Sequence, residues 1–95
     1  MITLEVPEHL AHIIIGLLMN YEKACIKHPK FANNGLEMCA ILTEETGEVS
    51  KAVMEYLHGD GSINDIDQEL YDTAAVCIRG LLLGKESEII NRIQP

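Results

Sequence analysis

LTEETGEVSKA, residues 42–52, puts Glu44, Glu45 and Glu48 into a stretch that otherwise has the spacing of a core helix. Working outward, Met38, Ile41, Leu42, Val49, Ala52, Val53 and Tyr56 recur at helical intervals. A helix turns by about 100° per residue, so these side chains form one apolar stripe. Glu45 falls inside that stripe, between Leu42 and Val49. Glu48 lies at its edge, beside Glu45 at i+3, and Glu44 lies further out, four positions before Glu48. A carboxylate turned toward a core without a partner is costly, so the stretch is read as a helix that carries chemistry.

The punctuation on either side defines the other elements. Asn34 is a capping residue with Glu37 three positions on, a capping-box arrangement, and Gly59 is the stop for a helix that runs to about Leu57 or His58. Upstream, Pro7 opens a helix from about Glu8 to Lys27 that halts before Pro29. Leu10, Ile13, Ile14, Ile15, Leu17, Leu18 and Met19 make that helix apolar nearly all round. Such a helix is buried on more than one side, and its second side is expected to belong to another subunit. Residues 28–34, HPKFANN, form a loop. Downstream, GDGSIN is a turn, and Ser62 or Asn64 caps a third helix, with Asp65 or Asp67 in its first turn. That helix reaches about Leu83 and stops at Gly84. A short helix, Glu86–Arg92, closes the chain. No segment alternates with the period of a strand. The expectation is an all-α single domain over residues 1–95: three main helices and a short C-terminal helix, associating into a larger bundle as a homodimer or homotetramer.

The third helix repeats the device of the second. Its stripe reads Ile66, Leu70, Thr73, Val76, Cys77, Gly80 and Leu81, with Glu69 at the edge and Asp72 beside it at i+3. A second apolar side, Ala75, Ile78 and Leu82, is expected to face another copy. A short turn makes the two helices antiparallel. Counted outward from the turn, the pairs Glu45/Glu48 and Glu69/Asp72 then come to the same height and face one another. No Lys or Arg in the stripes neutralises four carboxylates, whereas a divalent cation does. Oxygen-only ligands suit Mg²⁺, with Mn²⁺ as a substitute, rather than Zn²⁺. A di-iron bundle needs Glu-x-x-His, and Glu48 and Asp72 stand where that His belongs.

Composition narrows the partners. The chain has 95 residues and a net charge of −8, from 15 acidic against 7 basic residues, with 47% hydrophobic and 4% aromatic residues. The acidity argues against nucleic acid and against anionic membrane surfaces. The run Ile13–Met19 is too short to span a bilayer. Cys25, Cys39 and Cys77 lack metal spacing and are read as small buried hydrophobes in a reducing compartment, so a cytoplasmic location is expected.

The pattern Glu44-Glu45-x-x-Glu48 followed by Glu69-x-x-Asp72 resembles the signature of the MazG-like nucleoside triphosphate pyrophosphohydrolases, members of the all-α NTP pyrophosphatase superfamily. AILTEETGEVSKAV resembles the family's first metal helix and ELYDTAAVCIRG its second, and the likeness extends over residues 28–83. It implies a Mg²⁺-dependent enzyme that hydrolyses (d)NTP to (d)NMP and pyrophosphate between the α and β phosphates. Glu45, Glu48, Glu69 and Asp72 match the metal ligands, with Glu45 and Glu48 thereby catalytic. Glu44 matches a position that binds a further metal or orients the attacking water. For the phosphates, Lys51 matches a lysine common in the family, Arg79 follows Asp72 on the same side of its helix, and His28 lies in the loop entering the metal helix. Lys27, Lys30 and Arg92 are secondary choices. Phe31 and Tyr71 are open between stacking on a base and packing in the core. Two other readings stand beside this one. One is a related pyrophosphatase acting on a modified nucleotide or phosphoribosyl-ATP. The other is a non-catalytic helical oligomerisation or metal-binding module.

Overall fold

The structure is a computed structural model that describes residues 1–85, and the expected helix Glu86–Arg92 lies outside them. The described residues form three helices and no strand: α1 (Glu8–Lys27), α2 (Gly35–Leu57) and α3 (Ile63–Lys85). None of them is long and apolar enough to cross a membrane.

Local chemistry accounts for each boundary. α1 begins directly after Pro7 and ends at His28, whose backbone (φ −129°, ψ 80°) lies outside the helical region that a following proline disfavours. At the start of α2, the Asn34 side chain accepts from the Glu37 amide at 2.9 Å, while the Glu37 carboxylate accepts from the Asn33 amide at 2.7 Å. α2 ends at Gly59, which takes φ 85°. There the Asp60 amide donates to the Glu55 carbonyl and the Gly59 amide to the Tyr56 carbonyl, the paired bonds of a Schellman stop. Ser62 and Asp65 cap α3 reciprocally, side chain to amide, at 3.2 and 3.0 Å. α3 passes through Gly84 to Lys85 rather than stopping at the glycine.

α3 is the central element. It packs on both α1 and α2, and those two do not pack on each other. Serving two neighbours requires close approach on two sides, and small residues provide it. Ala75 is 1% exposed, so of the three residues expected to face another copy it packs within the chain, while Ile78 is half-buried and Leu82 is exposed. On the α1 side, Gly16 sits where an added Cβ would lie 2.7 Å from the Tyr71 ring and hydroxyl. On the α2 side, Met38 rides over Gly80.

The large apolar residues lie elsewhere. Ala32, Ala52 and Ala75 are the buried hydrophobic residues of the described chain, while Leu70 and Leu81 of the expected α3 stripe are exposed. The outward face of α1 carries Ile15, Leu18, Met19 and Ile26, each more than half exposed. The cysteines also differ from expectation: Cys39 and Cys77 are exposed and Cys25 is half-buried, because 39 and 77 fall on sides of α2 and α3 that no described helix covers.

Candidate active site

Because α1 and α2 diverge across α3, a cavity of about 600 Å³ opens between them. Its α2 wall includes Glu44 and Glu45, its α3 wall Gln68, Asp72 and Arg79, and the end of α1 with the following loop supplies lysines, His28 and Phe31.

Glu45, Glu69 and Asp72 converge, each offering a carboxylate oxygen within 4.8 Å of the others, and all three are half-buried. Thr73 ties the two helices together at this level. Its hydroxyl lies 2.9 Å from the Glu69 carbonyl oxygen on its own helix and 3.4 Å from that of Glu45 on α2, so one proton is shared between the two turns that carry the carboxylates. Burial pushes the Glu45 carboxyl above the ordinary glutamate range, and the nearby Asp72, Glu69, Glu44 and Glu48 add to the shift. Burial also raises Glu69, reinforced by Asp72, Glu48 and Asp65 and only partly offset by Lys51. The group has too little local positive charge of its own. Three hard oxygen donors without His or Cys fit Mg²⁺ or Mn²⁺.

A polar chain supports the group from behind. Gln68 Nε2 donates to Asp72 Oδ1 at 2.9 Å and to Asn20 Oδ1 at 2.8 Å, and Asn20 Nδ2 donates to the Gly16 carbonyl at 2.7 Å. Asp72 is thus held by one oxygen from a line that begins on the α1 backbone. Sequence spacing gave no sign of this, since Asn20 and Gln68 are 48 residues apart.

The remaining expected residues separate. Glu44 is exposed on the cavity rim. Glu48 is exposed and outside the converging group, on a shallow hollow of the outer α2 face that it shares with Glu44, Ala40 and Gly47. Lys51 is not in the cavity wall, and it lies 4.0 Å from Glu55 in a solvent-exposed pair, an arrangement worth little. Arg79 is in the wall but buried. Its guanidinium donates to the Ala24 carbonyl at 3.3 Å and the His28 carbonyl at 2.6 Å, and lies 5.1 Å from the centre of the Phe31 ring. It fastens the end of α1 and the loop to α3. His28 lines the cavity and offers its carbonyl to that bond.

No family model matches the chain, and no curated protein or solved structure is significantly similar to it.

Proposed function

We propose that the chain is a Mg²⁺-dependent nucleoside triphosphate pyrophosphohydrolase of the MazG-like kind, acting in the cytoplasm. The observation that carries this reading is the convergence of Glu45, Glu69 and Asp72, two of which, Glu45 and Asp72, line a cavity large enough for a nucleotide. Those three carboxylates would hold the cation, and Glu48, outside the group, would add negative charge near it. When bound, the cation neutralises phosphate charge and makes water a better nucleophile. Glu44, on the rim, orients that water and takes its proton. Water adds across the α–β anhydride: one P–O bond forms at the nucleotide, the bridging P–O bond breaks, and pyrophosphate leaves. Gln68 and Asn20 hold Asp72 in register.

The functional unit is proposed to be a homo-oligomer. An α1 face of Ile15, Leu18, Met19 and Ile26 left in water is a large apolar patch, and a second copy would cover it.

A specific observation favours the competing reading of a non-catalytic metal-binding module. The two cations expected to hold phosphate are engaged elsewhere, Lys51 with Glu55 and Arg79 with backbone carbonyls. Incubation with nucleoside triphosphates and identification of the products separates the two readings.

A further inference from the structure

We infer that Lys23, Lys27 and Lys30 form the anion seat of the cavity and receive the terminal phosphates of the substrate, the pair released as pyrophosphate. The inference rests on the pyrophosphohydrolase reading in naming that ligand.

The chain has 7 Lys and Arg residues against 15 acids. Cations in so acidic a chain have carboxylates to pair with almost anywhere on the surface. Yet Lys23, Lys27, Lys30 and Arg79 all line this one cavity. Among the described residues, none of the three lysines has an ion-pair or hydrogen-bond partner, and Lys51 with Glu55 is the ion pair that does form. Lys23 and Lys27 stand one turn apart on α1, a like-charged spacing that weakens a helix. Lys27 has a local reason to be there, since the last turn of a helix favours a cation. Lys23 and Lys30 have none.

The fold also takes trouble to hold them in place. Lys30 follows Pro29 in the loop, which is anchored by buried Ala32 and by Arg79. By gripping the Ala24 and His28 carbonyls, Arg79 fixes the segment that carries Lys27 and Lys30 against the cavity. Arg79 is then a positioning residue, and the lysines make the contacts. The cations available to phosphate thus stand on the wall opposite the carboxylates, where Lys27 and Lys30, secondary choices from sequence, are joined by Lys23.

The chemistry of the opposite wall names the ligand. Carboxylates and a cation on α2 and α3 serve the phosphates around the scissile anhydride. A triphosphate carries more negative charge than one such centre offsets, and flexible ammonium groups are suited to its mobile terminal oxygens. A neutral base at that wall would gain nothing from three ammoniums.

The test uses the full chain with Glu45→Gln and Glu69→Gln, in EDTA, so that neither metal nor turnover contributes. Pyrophosphate is titrated into this protein by calorimetry. The expected result is one-to-one binding that weakens about tenfold or more when Lys23, Lys27 and Lys30 are changed together to Met, and that Lys51→Met leaves unchanged. Methionine keeps the apolar stem of these exposed side chains, and a thermal melt verifies folding. If the triple variant does not fold, the single variant Lys30→Met, in the loop, is measured instead and is expected to lose several-fold. Undiminished pyrophosphate affinity without the lysines, loss caused by Lys51→Met instead, or no binding to the parent at millimolar pyrophosphate would each overturn the inference. Failure of the wild-type chain to hydrolyse any triphosphate would sink the catalytic reading while leaving this result intact.

Discussion

Gln68 reaches Asp72 at 2.9 Å and Asn20 at 2.8 Å with the same amide nitrogen, so a residue on α1 helps set the orientation of a carboxylate in the candidate metal group. Groups behind a metal ligand hold it in register, and their loss typically lowers metal affinity by about tenfold or more. Gln68→Leu is therefore expected to weaken Mn²⁺ binding about tenfold, measured by calorimetry or by the electron spin resonance of free Mn²⁺. Gln68→Glu places a further negative charge beside Asp72 and is not expected to rescue orientation. Unaltered Mn²⁺ affinity in Gln68→Leu would mean that Asp72 does not bind metal or needs no support.

The pH dependence follows from the raised Glu45 and Glu69 carboxyls. Their pKa values in the folded chain stand above those of the unfolded one, so folding favours their protonated forms. The stability they contribute is present in full below the ordinary glutamate range and is lost as pH rises through the shifted values. The contribution of these two carboxyls to metal-free stability should accordingly be larger at a pH within the ordinary glutamate range than at neutral pH, read as a difference in melting temperature. Glu45→Gln should reduce that difference and raise the metal-free melting temperature at the higher pH. Mg²⁺ should stabilise the wild type more at the higher pH, where the ligands are ionised. A melting temperature for Glu45→Gln that tracks the wild type at both pH values would remove the repulsion from the account.

Arg79 tests a division between holding the fold and holding substrate. It is buried and makes two hydrogen bonds to backbone carbonyls as well as the contact with Phe31. Arg79→Met should cost about 3 kcal/mol, since it strips a charge-assisted partner from two carbonyls. For a chain of this size that lowers the melting temperature by roughly 10–20 °C. Arg79→Lys should recover only part of the loss, because an ammonium lacks the planar fork. A stable Arg79→Met protein would return Arg79 to the list of phosphate-binding candidates.

Much of the fold could be read from the chain because its boundaries are written in local chemistry. Pro7, Pro29, the Asn34–Glu37 pair and Gly59 each act within a few residues, and α1 and α2 begin and end where they direct. The inward-turned Glu45 was also legible, since a polar residue inside an apolar stripe is a local anomaly. The packing face of α3 was not. Hydrophobicity pointed to Leu70 and Leu81, yet a helix that serves two neighbours at close range buries Ala75 and Arg79 and leaves those leucines outside. The lysine wall was legible only in part: Lys27 and Lys30 stood among the secondary phosphate choices, but Lys23 did not, because it shares a cavity with Asp72 only after the chain has turned back twice.

The uncovered face of α1 leads to a prediction about assembly. Ile15 and Leu18 are 58% and 54% exposed, and full burial of one such side chain is worth about 1.5–3 kcal/mol. Sedimentation should find a dimer or tetramer at micromolar concentration. Changing both residues to Glu should shift the chain to monomers. A wild-type chain that sediments as a monomer would contradict the proposed assembly without touching the metal group.

The most direct test of the central claim is product identification. Purified protein is incubated with each common NTP and dNTP and Mg²⁺, beside Glu45→Gln, and the products are resolved by chromatography and mass. The account predicts nucleoside monophosphate and pyrophosphate from at least one substrate, with turnover at least a thousandfold lower in Glu45→Gln, a loss of about 4 kcal/mol in transition-state stabilisation. Undiminished turnover in Glu45→Gln, or release of diphosphate and single phosphate instead, would contradict it.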